Sequence, residues 1–62
     1  MKNYWKMFPA YIPTDGQECY VNLWYDGSQA IIATWNATNQ SWVVKEFTAP
    51  IPWFYVVTWR PN

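Results

Sequence analysis

From Gln17 to Tyr25 the side chains alternate in character. Cys19, Val21, Leu23 and Tyr25 fall on one side of an extended chain, with Glu18, Tyr20, Asn22 and Trp24 on the other. A helix repeats every 3.6 residues and cannot keep such a pattern on one face, whereas a strand repeats every two. The segment is therefore expected to be a half-buried strand. Turn chemistry brackets it: Pro13-Thr14-Asp15-Gly16 before, and Asp26-Gly27, a preferred two-residue hairpin dipeptide, after.

The rest of the chain reads in the same way. Gln29 to Trp35 forms a second strand with Ala30, Ile31, Ile32 and Ala33 in its middle, and Asn36 to Gln40 is a polar turn. Ser41 to Thr48 is a third strand, Ala49-Pro50-Ile51-Pro52 interrupts pairing because proline donates no amide hydrogen, and Trp53 to Trp59 is a fourth. Tyr4, Trp5 and Phe8 have the spacing of a short N-terminal helical turn, with an irregular lead-in as the equal alternative. The expected fold is one all-β domain over residues 1–62: a small antiparallel four-stranded meander, forming an open barrel or a sheet.

Chemistry is scarce. The chain has no histidine, so the commonest general base and metal ligand is missing. Cys19 is the single cysteine; it can neither form an internal disulfide nor hold zinc, and it sits on the apolar side of the first strand as a small buried hydrophobe. Asp15 and Asp26 each precede glycine, which is turn chemistry, and Glu18 and Glu46 stand apart. There is neither a phosphate-cradling glycine loop nor a metal-ligand spacing. We expect no enzyme, no cofactor and no metal. Asn36-Ala37-Thr38 and Asn39-Gln40-Ser41 match the N-glycosylation pattern, but without a secretion signal they read as a polar turn.

Four Lys plus Arg balance four Asp plus Glu, so no basic excess is available to displace counterions from a nucleic-acid backbone. No apolar stretch is long enough to span a membrane. A cytoplasmic location is expected from these absences together with the lone thiol.

What the chain has in surplus is aromatic surface: six Trp, five Tyr and three Phe in 62 residues. A small core needs large side chains, which accounts for part of this. The remainder is expected to form an exposed patch, since Trp and Tyr dominate binding hot spots. If the Asp26-Gly27 hairpin has an even-length loop, Tyr20 and Trp24 share a face with Ile31, Ala33 and Trp35, opposite a core face of Val21, Leu23, Ala30 and Ile32; an odd loop reverses this. Trp42 would extend the patch. Arg60, the one guanidinium, would lie at its rim, either stacked on Trp59 or a neighbouring ring, or as a bidentate clamp on a carboxylate or phosphate. Tyr20, Trp24, Trp35, Trp42 and Arg60 are thus the candidate partner-binding residues. Low charge and exposed aromatics also predict a homo-oligomer, with a dimer as the default.

The order of landmarks resembles the small phage and prophage family known as domain of unknown function 551. The residues that carry the likeness are Pro13, Asp15 and Gly16, then Cys19 and Val21, then Ile32, Ala33 and Trp35, then Trp42, and finally Val56, Thr58, Trp59 and Pro61. The extra Thr14, the Pro50-Ile51-Pro52 kink and the stop at Asn62 depart from that family's pattern. The resemblance implies a β-rich fold and a phage origin, and supplies no mechanism. By analogy, phage origin points to a binding protein that covers a host protein surface and blocks host defence. Its runner-up is an oligomeric sponge that traps a nucleotide signal between aromatic rings. A purely structural phage protein is the third alternative.

Overall fold

The computed structural model describes residues 5–24 and 26–62. Six strands form one antiparallel sheet: β1 (Lys6–Met7), β2 (Glu18–Leu23), β3 (Asp26–Asn36), β4 (Ser41–Val44), β5 (Ile51–Pro52) and β6 (Val56–Pro61). A 3-10 turn, Trp53–Tyr55, leads into β6. The all-β antiparallel expectation holds, and the sheet is open rather than a closed barrel.

The strand order is β1-β6-β2-β3-β4-β5. It corrects the simple meander. β2, β3 and β4 follow one another through hairpin connections, but β6 returns to lie beside β2, so the four longer strands have the spatial order of a Greek key. Both edges are two-residue strands, and one of them contains Pro52, which leaves little free ladder for edge-to-edge pairing.

Local chemistry accounts for the turns. Gly16 has φ +83, and the amide of Gln17 donates to the carbonyl of Thr14 at 2.9 Å, closing the turn before β2. An added Cβ would meet nothing within 4 Å there, so it is the positive φ that makes glycine the fitting residue. Asp15 Oδ1 accepts from the Ala37 amide at 2.8 Å, tying this turn to the β3–β4 loop. Within that loop the Asn39 amide donates to Asn36 Oδ1 at 3.1 Å, the capping role for which asparagine is favoured in turns.

Three expectations fail locally. Leu23 pairs with Asp26, so Asp26 and Gly27 belong to β3 and the chain has reversed before Asp26; Tyr25 itself lies outside the described residues. Residues 53–55 make a 3-10 turn instead of opening the last strand, in which Val56 and Trp59 are buried and Val57 is exposed. The shift in register between Asn22 and Leu23, opposite β6, is what breaks the alternation. Lys6–Met7 pairs with β6, and a turn follows at 8–10; Tyr4, on which part of the helical expectation rested, lies outside the described residues.

One face of the sheet carries the core: Cys19, Val21, Leu23, Ala33, Trp35, Trp42, Val44, Val56 and Trp59. Phe8 and Ile51 complete it. Phe8 meets Trp35 and Trp42 edge-on, with ring centroids at 5.1 and 5.4 Å, and the two indoles lie 5.1 Å apart. Offset and edge-on arrangements suit the ring quadrupoles. Trp59 Nε1 donates to the Tyr11 carbonyl at 2.7 Å, fixing the N-terminal segment over the same face. The indole nitrogens of Trp35 and Trp42 are buried and have no hydrogen-bond partner among the described residues.

Candidate functional site

The register of β2 against β3 decides which aromatics are free. Cys19 pairs with Ala33, Tyr20 with Ile32 and Val21 with Ile31. Between Val21↔Ile31 and Leu23↔Asp26 the chain takes two steps along β2 and five along β3, an odd difference that reverses the faces. The anticipated grouping of Tyr20, Trp24 and Trp35 on one face is therefore corrected. Trp35 joins Cys19 and Val21 inside, and Tyr20 lies on the other face. The physical reason is burial: this register places the indole of Trp35 in the core and leaves Thr34 on the wetter side.

Trp42, too, is a core residue and not an extension of a surface patch, being 0% exposed opposite Trp35 in the ladder. Trp24 stands at the turn after β2, 63% exposed, with its ring centroid 6.5 Å from that of Tyr55 in an edge-on contact. Of the five candidates, Trp35 and Trp42 meet inside the core, and Tyr20 and Arg60 come together outside it.

They are cross-strand partners on β2 and β6, on the face opposite the core. The guanidinium carbon of Arg60 lies over the Tyr20 ring, 4.5 Å from its centroid, and over the Trp5 ring at 5.2 Å. Trp5 arrives there because Lys6 pairs with Trp59, which sets the preceding residue opposite Arg60. Arg60 thus stacks on neighbouring rings but not on Trp59, since consecutive strand residues point to opposite faces. Lys6 takes the Trp59 ring instead, with Nζ 5.7 Å from the centroid.

The same open face carries the 56% exposed Met7 and a hydrogen bond from Asn22 Nδ2 to Thr58 Oγ1 at 3.2 Å. Asn62 Nδ2 donates to Glu18 Oε1 beside it. Trp5 and Met7 had no local signal as site residues. Their relation to Arg60 spans more than fifty positions, and only the pairing of β1 with β6 creates it.

A second aromatic surface runs along the segment entering β6. Trp24, Tyr55, Phe54 and Trp53 form a chain of ring contacts, with centroids 6.5, 5.5 and 5.7 Å apart in turn. Trp53 and Phe54 are 39% and 58% exposed. Trp53 also borders a cleft of about 230 Å³ shared with Phe8, Pro9, Ile12, Trp35 and Gln40.

Cys19 offers no reactive thiol. Burial, with a smaller contribution from the charge of Glu18, pushes its pKa up to about 11, and Sγ lies 3.6 Å from the Gln17 carbonyl. Among the described residues no group of three or more His, Cys, Asp or Glu side chains is placed to hold a metal ion, and no helix is long and apolar enough to cross a membrane.

The site and fold define a small open Greek-key sheet with an arginine held between aromatic rings on its uncovered face. The chain matches no protein-family model, no curated protein sequence and no solved structure. The likeness to domain of unknown function 551 therefore rests on the sequence landmarks alone.

Proposed function

We propose that this chain is a non-enzymatic binding protein that engages another protein through the open face of its sheet. The observation that carries the reading is the Trp5–Arg60–Tyr20 cluster. Arg, Trp and Tyr are the residue types most enriched in binding hot spots, and here they stand together away from the core. In the phage context implied by the sequence resemblance, the partner is a host protein and the outcome is interference with host defence. The aromatic ridge from Trp24 to Trp53 supports self-association at a separate surface.

A cleft of about 230 Å³ beside Tyr20, lined also by Ile32, Lys45 and Glu46, favours the nucleotide sponge as a second reading. It is smaller than the roughly 300–1,000 Å³ typical of small-ligand sites, so the protein partner is preferred. Two measurements separate them. Tagged protein, alongside its Tyr20→Ser and Trp5→Ser variants, is used to capture proteins from bacterial lysate, and a panel of linear and cyclic nucleotides is screened by melting temperature. The reading expects a protein retained by the parent chain and lost by both variants. A nucleotide that raises the melting temperature, with no such protein, overturns it in favour of the sponge, because a ligand specific for the folded state must stabilise it.

A further inference from the structure

We infer that Arg60 is a pre-oriented receptor for a single carboxylate, supplied by an Asp or Glu side chain of the protein partner. The inference rests on the open-face reading and names the chemistry by which that face recognises its partner. Arg60 is half-buried, and its guanidinium is held between Tyr20 and Trp5. Its side chain has no carboxylate or hydrogen-bond acceptor among the described residues. The guanidinium carbon lies 4.5 and 5.2 Å from the two ring centroids, and both contacts restrict the side chain. The five donors form a rigid fork that matches a carboxylate bidentately. Ring contacts that immobilise the side chain also remove part of the ordering cost that a free surface arginine meets on binding.

Charge selects carboxylate over phosphate. One guanidinium neutralises one negative charge, whereas a phosphate monoester carries about −1.5 to −2 at neutral pH. The other described cations are committed elsewhere: Lys6 lies over Trp59, on the core side, and Lys45 borders the cleft beyond Tyr20. Glu18 stands two residues from Tyr20 on the same side of β2, held by Asn62, and its charge disfavours a dianion more than a monoanion. Trp5 and Met7, 42% and 56% exposed, supply apolar surface around the fork that excludes water once a partner docks.

The test uses the full chain and three short capped peptides that differ only at the central residue: glutamate, glutamine and phosphoserine. Binding is followed by the NMR shift of the Arg60 Nε–Hε group. The glutamate peptide is expected to shift it, with affinity about tenfold above the glutamine peptide and no weaker than the phosphoserine peptide. Arg60→Lys, which keeps the charge but lacks the fork, is expected to lose most of that affinity while the fold, read from the remaining amide shifts, is unchanged. Tyr20→Leu tests the stacking independently and is expected to weaken binding without removing it. Equal binding of the glutamate and glutamine peptides, tighter binding of phosphoserine, or full affinity in Arg60→Lys overturns the inference. If the peptides fail while Tyr20→Ser and Trp5→Ser still lose a captured protein, the carboxylate assignment falls and the open-face reading stands.

Discussion

Tyr20 and Arg60, forty residues apart in the chain, are direct cross-strand neighbours, with the guanidinium carbon 4.5 Å from the phenol ring centroid. The pair exists because β6 returns to lie beside β2. A double-mutant cycle with Tyr20→Leu and Arg60→Met should give a coupling energy of about 0.5–1 kcal/mol, the range for a partly exposed cation–π contact. Chemical denaturation of the four proteins measures it, and a coupling indistinguishable from zero would show that the contact does not persist in solution.

Core and surface tryptophans should separate cleanly. Trp35→Ala and Trp42→Ala remove rings that are 4% and 0% exposed, and each should cost about 3–5 kcal/mol, enough to threaten folding of so small a domain. Trp42→Phe, which also removes an unpaired buried N–H, should cost much less. Trp24→Ala, at a 63% exposed turn position, should cost about 1 kcal/mol or less. Melting curves of the four variants decide this, and a Trp24 cost matching that of Trp42 would contradict the assignment of faces.

Alkaline pH should weaken the fold through Cys19. Its folded pKa is raised to about 11 from an ordinary 9.0, so the native state holds the thiol proton where the unfolded chain has released it. The associated stability is fully present below pH 9 and is lost as pH rises toward 11. The difference in stability between the parent chain and Cys19→Ala should therefore shrink over that interval, by an amount on the order of 1–2 kcal/mol. Disulfide reagents at pH 8 should label the thiol only as fast as the protein unfolds, and rapid labelling of the native state would refute its burial.

Self-association, if it uses the aromatic ridge, should respond to charge placed there. Light scattering at high micromolar concentration is expected to give a dimer of the 7.4 kDa chain, and Phe54→Asp is expected to return it to a monomer. The two-residue edge strands make edge pairing a poor alternative. A dimer unaffected by Phe54→Asp but broken by Met7→Asp would relocate the contact to the open face.

Much of the fold could be read from local chemistry. Period-two alternation placed β2, the Asn36–Gln40 cluster marked a hairpin loop, and Gly16 marked the turn before β2. Each of these depends on residues close in sequence, and backbone propensity and side-chain period act at that range. Tertiary structure decided the rest. The odd shift between β2 and β3 chose which face Trp35 joined, because burying that indole outweighed the regular hairpin that Asp26-Gly27 favoured. The return of β6 to β2, and of β1 to β6, brought Arg60 between Tyr20 and Trp5. Strand pairing over forty to fifty residues is set by burial of the whole sheet face, a quantity that no local segment contains.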